Sequence, residues 1–372
     1  MLDTVLKKPN DPLSLTARMN SWIERHVGSV PFVQKFMFIH HLEIMSKAGL
    51  SIINSLQVLS SEIENKKLKR IVGEIKAEVE TGKQLSEVLA KFPSVFPHIY
   101  VNMIAAGEIS GKLDDALSQI SEQMKKSQRL NSKVRGAMIY PAVIMTAMVG
   151  ISLFVVFYIM PKILVMFTEM NASLPMATRV LIALTKFGQN YWWAIIIAII
   201  AAIFGFMRAM KVPKFKRAIH RGMLSLPIFG IIIIKVNLAR FTLTLSSLLS
   251  STIPIVDAVR ISSEVLNNVV YREQLEHATD GLKQGQALSQ ILSAYPKTFP
   301  AMVTEMVMVG EQTGRIEKML KELSEYYNNE VEETMNNFTA IIEPVIILLL
   351  GVGVAGIAVA VIMPMYSLAQ SV

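Results

Sequence analysis

Two textures alternate along the chain. In the polar regions apolar residues recur at three- and four-residue spacing. Leu68, Ile71, Val72, Ile75 and Val79 share one helix face, and Tyr271, Leu275, Ala278 and Leu282 follow the same pattern later. Gly82, Pro93, Pro97 and Gly107 punctuate the first region. The spacing therefore predicts short helices packed as a bundle. Leu113, Leu117, Ile120 and Met124 begin a longer helix that heads into an uncharged run. Near the start, Leu15, Met19, Trp22, Ile23 and Val27 predict a short helix within an amino-terminal segment, 1–35.

The second texture is long, apolar and free of charge. Residues 136–161 lie between Arg135 and Lys162, and 187–207 lie between Lys186 and Arg208. From Pro344 to the end no residue is charged, and 344–366 is the apolar part of that stretch. Roughly 20 apolar residues cross the hydrocarbon core of a bilayer, so three transmembrane helices are predicted. IFGIIII at 228–234 is too short to span and reads as a buried helical turn or a strand. The expected fold is an all-α membrane protein. Two helical-bundle domains, 36–135 and 208–343, accompany the three spans, a loop at 162–186 and a tail at 367–372.

The two bundles are copies. AGEISGKLDDAL at 106–117 returns as VGEQTGRIEKML at 309–320, and GKQLSEVLAKFPSVFP from Gly82 returns as GQALSQILSAYPKTFP from Gly285. Phe38 matches Phe241, Pro141 matches Pro344, and Met160-Pro161 matches Met363-Pro364, always 203 residues on. Such constant register is an internal duplication. Two copies in one orientation, each ending in a span, need one extra span to rejoin, and 187–207 has no counterpart in the repeat. Charge agrees with this count. Lys125, Lys126, Arg129, Lys133 and Arg135 precede the first span, and Arg208, Lys211, Lys214, Lys216, Arg217 and Arg221 follow the second. The positive-inside rule then places both bundles and the amino terminus in the cytoplasm, with the 162–186 loop and the carboxyl terminus outside.

Composition narrows the chemistry. The chain is 52% hydrophobic, carries a net charge of +8 and has no Cys, which excludes disulfides and thiolate sites. The basic clusters are explained by topology, so nucleic acid is not an expected partner. GEISGK lacks the spacing and the hydroxyl that a phosphate-binding loop requires. The six His are scattered, no metal cluster is visible, and no ionisable residue sits inside a span, where a transporter would use one. No cofactor is expected. Small residues four apart, Ala142, Thr146 and Gly150, suit close helix packing within or between chains.

What stands out is the duplicated turn: Gly107, Glu108 and Gly111, with Gly310, Glu311 and Gly314. One reading is a helix–turn–helix joint in which glycine frees the backbone and Ser110 or Thr313 caps the next helix. A joint does not require Glu, so Glu108 and Glu311 are expected to pair with a basic residue or to serve docking and transmission. Pro141, Glu343 and Pro344 stand at membrane entries, as hinges or as structural kinks.

The duplicated GE-x-[ST]-G-[KR]-[LI] turn, the G-x-x-L-S segments, MIYPAV at 138–143, SLPMATRV at 173–180, IEPVI at 342–346 and the closing MPMY resemble one family. This is the inner-membrane platform protein of type IV pilus and type II secretion systems, and the resemblance covers about residues 36–370. It implies a non-enzymatic protein of the bacterial cytoplasmic membrane, acting as a homo-oligomer among membrane lipid. The implied partners are a hexameric assembly ATPase, pilin or pseudopilin subunits and inner-membrane alignment proteins.

Overall fold

The computed structural model describes residues 30–159, 161 and 176–369. The expected helix at 15–27 and most of the expected 162–186 loop lie outside the described residues. Among those described there are helices and no strand. The first copy comprises α1 (Phe32–Lys47), α2 (Ile52–Glu62), α3 (Lys66–Glu80), α4 (Leu85–Leu89), α5 (His98–Ser110) and α6 (Leu113–Phe154). A π-helical turn, Val155–Ile159, continues α6. Then come α7 (Met176–Ala209) and α8 (Pro213–Leu224). The second copy comprises α9 (Phe229–Ser250), α10 (Ile255–Val265), α11 (Val269–Lys283), α12 (Leu288–Ser293), α13 (Ala301–Thr313) and α14 (Ile316–Ala369). Helices α2, α3, α5 and α6 each begin 203 residues before α10, α11, α13 and α14.

Local chemistry sets the boundaries. Ser51 and Asn65 accept hydrogen bonds from the backbone N–H of Asn54 and Leu68, starting α2 and α3. Asn268 does the same for Val270 in α11. Apolar faces then close the cores: Leu42, Leu56, Ile71, Ile75, Leu89, Met103 and Ile120 from the first copy, and Leu275, Leu292, Val307 and Leu320 from the second. One aromatic pair recurs. Phe38 meets Phe96 at 5.5 Å between ring centroids, and their counterparts Phe241 and Phe299 meet at 5.6 Å.

The compact units do not follow the copies. Of the described residues, one contains those of 30–126 with 244–262, and the other those of 127–243 with 263–369. The end of α9 and most of α10 therefore pack within the first unit, beyond the expected domain 36–135. In that unit Ser247 Oγ donates to Gln123 Oε1 at 2.6 Å, Gln123 Nε2 donates to Thr244 Oγ1 at 3.4 Å, and the Ser251 hydroxyl donates to Gln119. In the second unit Arg240 donates to Asn131.

Four helical stretches are long and apolar enough to cross a membrane: Leu113–Ile159, Asn190–Ala209, Phe229–Ser250 and Ile316–Gly356. They differ in what covers them. Large apolar side chains on the others stand open, such as Val143, Phe204, Leu348 and Val352. The apolar window of Phe229–Ser250 is 56% buried inside the protein, through Leu238, Phe241, Leu245 and Leu248. IFGIIII is thus the entry to a 22-residue helix, neither an isolated turn nor a strand. Residues 176–186 of the expected loop are helical, as are 367–369 of the expected tail. Helices α6 and α14 run unbroken through Pro141 and Pro344.

A polar cluster ties α1 to α6. The nearly buried Glu43 accepts from Lys47 Nζ at 2.8 Å, and His40 lies 3.2 Å from both Glu43 and Ser121. Burial alone would raise the Glu43 carboxyl. Hydrogen bonds from Lys47, Ser121, His40 and Ser118 outweigh that and hold it down at about 2. A depressed carboxyl stabilises the fold above its ordinary pKa and ceases to do so as pH falls toward the folded value. We expect the first unit to lose up to about 2 kcal/mol between pH 4.5 and 2, after allowing for solvent screening. Glu43→Gln should flatten that segment of the stability-against-pH curve measured by circular dichroism.

Candidate transmission site at the duplicated turn

Each turn ends one helix and starts another in the same way. Gly111 and Gly314 take left-handed backbone, φ 68° and 65°. Lys112 N–H returns to the Gly107 carbonyl at 2.8 Å and Gly111 N–H to the Glu108 carbonyl at 3.3 Å. The second copy repeats both bonds, Arg315 to Gly310 and Gly314 to Glu311, at 2.9 and 3.4 Å. This paired closure satisfies carbonyls that a helix end leaves open, and the left-handed position favours glycine. Ser110 and Thr313 do not cap the next helix. Their hydroxyls donate back to Ala106 and Val309 in their own helices, at 2.8 and 2.7 Å.

Gly107 and Gly310 serve another purpose. A Cβ on Gly107 would lie 2.5 Å from the Ala116 Cβ, and one on Gly310 would lie 2.7 Å from the Ile316 Cα. The glycine lets the helix that follows the turn start directly against the one that precedes it.

The two glutamates face inward. Glu108 Oε1 accepts from Leu85 N–H at 2.6 Å, and Oε2 accepts from Ser86 N–H at 3.1 Å and from the Ser86 hydroxyl. Glu311 repeats the arrangement on Leu288 N–H at 2.6 Å, Ser289 N–H at 3.2 Å and the Ser289 hydroxyl. The expected basic partner is absent from these contacts. The residues before α4 and α12, Gln84 and Ala287, make no side-chain cap. A carboxylate from the helix that follows, α5 or α13, therefore caps each short one, where N–H groups lack intrahelical partners and negative charge is favoured. The L-S of G-x-x-L-S and the E of the turn are two halves of one brace. Their separation is the same in both copies, 22 residues from Ser86 to Glu108 and from Ser289 to Glu311. That constancy was the sequence signal for the brace.

A cleft of about 140 Å³ borders the first turn, lined by Gly107, Ser110, Lys112, Asp115, Gln119, Ser251 and Thr252 among others. Ligand pockets for drug-sized molecules are about 300 Å³ or more. Helices flank the turn on both sides, where a phosphate-binding loop follows a strand. Thr252 has φ 60°, at the position where the first copy has Gly49, φ 82°. A β-branched residue is strained there, so Thr252→Gly is expected to raise the melting temperature of the chain slightly. No cluster of three or more metal-ligating side chains occurs among the described residues.

Fold and turn define a duplicated helical protein with apolar helices of membrane-spanning length, each copy braced by a carboxylate. The profile of the family described as "Type II secretion system (T2SS), protein F" matches the chain twice, at 38–161 and 241–364, in the same register as the repeat. The chain belongs to this family. It is 34% identical over 363 residues to the type IV pilus assembly protein PilC of Thermus thermophilus, covering 98% of this chain and 88% of that protein. It is 31% identical over 345 residues to PilC of Myxococcus xanthus, covering 93% and 82%. The type II secretion system protein F of Vibrio cholerae is 30% identical over 328 residues, covering 88% and 80%.

Proposed function

We propose that this protein is the inner-membrane platform of a type IV pilus, coupling a cytoplasmic hexameric ATPase to pilin extraction and filament growth without catalysing a reaction itself. The observation that carries this reading is the full-length similarity to pilus assembly proteins, 31–34% identical across 90% or more of the chain. The type II secretion proteins F match at 28–30%, which leaves a secretion platform as the second reading.

In this account three helices span the membrane, with both bundles and the amino terminus in the cytoplasm and the carboxyl terminus in the periplasm. Phe229–Ser250 is a core helix of the cytoplasmic part, supported by its burial. Gly107, Glu108 and Gly111, with Gly310, Glu311 and Gly314, act in transmission rather than direct docking. The half-buried glutamates lock each short helix to the joint, so that displacement of a bundle is passed to α6 or α14. Pro141, Glu343 and Pro344 mark where those helices enter the lipid. The platform works as a homo-oligomer beside pilin subunits and inner-membrane alignment proteins.

Affinity purification of the tagged chain from cross-linked native membranes tests the partners. Recovery of an assembly ATPase and pilin supports the reading. Recovery of neither, with the protein intact and abundant, would refute it.

A further inference from the structure

We infer that this chain assembles head to tail with further copies of itself, through a surface that reuses the contact it already makes between its own two halves. The inference gives a location to the homo-oligomer proposed above, and its test reads cross-linked pairs rather than filament growth, so either can fail alone.

The template is the contact of α6 with α9. Gln119 meets Ser250 and Ser251, Gln123 meets Thr244 and Ser247, and Asn131 meets Arg240. Here the α6 face of the first copy is covered by the first helix of the second copy, and Gln123 is only 4% exposed. The duplication supplies the same two faces again. The counterpart of α6 is α14, where Glu322, Tyr326 and Thr334 replace Gln119, Gln123 and Asn131. The counterpart of α9 is α1, where Met37, His41, Ile44 and Lys47 replace Arg240, Thr244, Ser247 and Ser250.

Both of these faces are open at their centres, while at their edges Thr334 accepts from Lys235 of α9 and Lys47 is held by Glu43 and Ser118. Tyr326 is 40% exposed and Ile44 is 51% exposed, with Met37 and Glu322 exposed as well. Leu50 is also exposed, whereas its counterpart Ile253 is buried. The chain thus carries one completed copy of the interface and two halves of another whose central residues, Tyr326 and Ile44, stand exposed.

The halves are chemically matched. Superposed on the template register, Tyr326 falls on Ile44, and Glu322 falls beside Lys47. The internal contact pairs amides with hydroxyls. The external one would pair the Tyr326 ring with Ile44 and the His41 ring at its centre and opposite charges at its edge, an aromatic-rich arrangement favoured in interfaces between separate chains. Because the halves differ, the contact is heterologous and propagates until it closes into a ring or continues as an open array. A single-patch dimer about a two-fold axis would instead place Ile44 near its own equivalent.

The absence of native Cys makes the test direct. Ile44→Cys and Tyr326→Cys chains are prepared separately, co-reconstituted in bilayers, and treated with a short bismaleimide. The expected result is a two-chain product in the mixture, little product from either variant alone, and a ladder beyond two chains when one chain carries both substitutions. Met37→Cys with Thr334→Cys should cross-link in the same mixed pattern, which checks the register. Cross-linking of Ile44→Cys to itself, or no product in either mixture, would overturn the inference. The second outcome includes the case in which the amino-terminal segment of the same chain occupies the α1 face.

Discussion

Gly310→Ala is expected to destabilise the second copy by about 2–3 kcal/mol, and no single neighbouring substitution should restore it. The added Cβ would stand 2.7 Å from the Ile316 Cα, 3.3 Å from its amide nitrogen and 3.3 Å from its Cβ. Two of those atoms are backbone, so the start of α14 must shift, and overpacking of this kind costs about 1–3 kcal/mol or more. Gly107→Ala should cost a similar amount for a partly different reason. Its closest clash is with the Ala116 side chain at 2.5 Å. Ala116→Gly therefore removes the worst contact, at about 1 kcal/mol of helix propensity, and the Gly107→Ala, Ala116→Gly pair should be less unstable than the sum of the two changes. Denaturant unfolding of the four variants by tryptophan fluorescence or circular dichroism measures this. Equal stability of Gly310→Ala and the parent would show that the close approach at the turn is not required.

Removal of both braces is the second large effect. Glu108→Ala leaves the N–H groups of Leu85 and Ser86 and one hydroxyl without their acceptor in a half-buried place. Hydrogen bonds to a charged group are worth about 1.5–3 kcal/mol, and loss of an N-terminal cap about 0.5–2 kcal/mol. A loss of about 2–3 kcal/mol per copy is expected, with α4 and α12 loosening first, since helices of five and six residues have no stability of their own. Glu108→Gln keeps one acceptor and should fall between, and Ser86→Ala removes one bond of three and should cost least. Limited proteolysis near residues 82–86 and 285–289 reads the loosening locally. If the braces also carry motion, Glu108→Ala with Glu311→Ala will abolish filament assembly even where the chain remains folded and inserted. Normal assembly by a stable double variant would remove transmission from the account and leave a structural cap.

Much of this was legible in the sequence because duplication makes every feature visible twice. The register of 203 residues, the helix faces at Leu68–Ile71–Ile75 and Tyr271–Leu275, and the left-handed glycines follow from periodicity and turn chemistry. The partner of Glu108 did not. Its oxygens accept from two backbone N–H groups, which every residue carries, and from one Ser86 hydroxyl, so no oppositely charged side chain marks the site. Ser110 and Thr313 were misplaced as caps because a hydroxyl beside a glycine turn suits either the outgoing helix or its own preceding turn. The fate of α9 was hidden for another reason. Burial in protein and burial in lipid select the same apolar residues, and IFGIIII resembles either. The distinguishing cue was Thr242, Thr244, Ser246 and Ser250 further along the helix, hydroxyls that a buried bundle helix satisfies against its neighbours or its own carbonyls.

The brace also changes how the turn is understood. A glutamate that contacts a motor would face solvent, whereas Glu108 and Glu311 point into their own bundles at matched distances. What the repeat preserves is a stiff connection between a short helix and the helix that ends at the turn, α5 or α13, just before the long helix begins. In the proposed account a motor docks elsewhere on the bundles, and the joint would pass the movement on.

The platform role itself is tested most directly by counting surface filaments in cells that lack this chain while pilin and the assembly ATPase remain at normal abundance. The account predicts no filaments and pilin retained in the inner membrane, with both corrected by the parent gene. Filaments in normal number without the chain would contradict it.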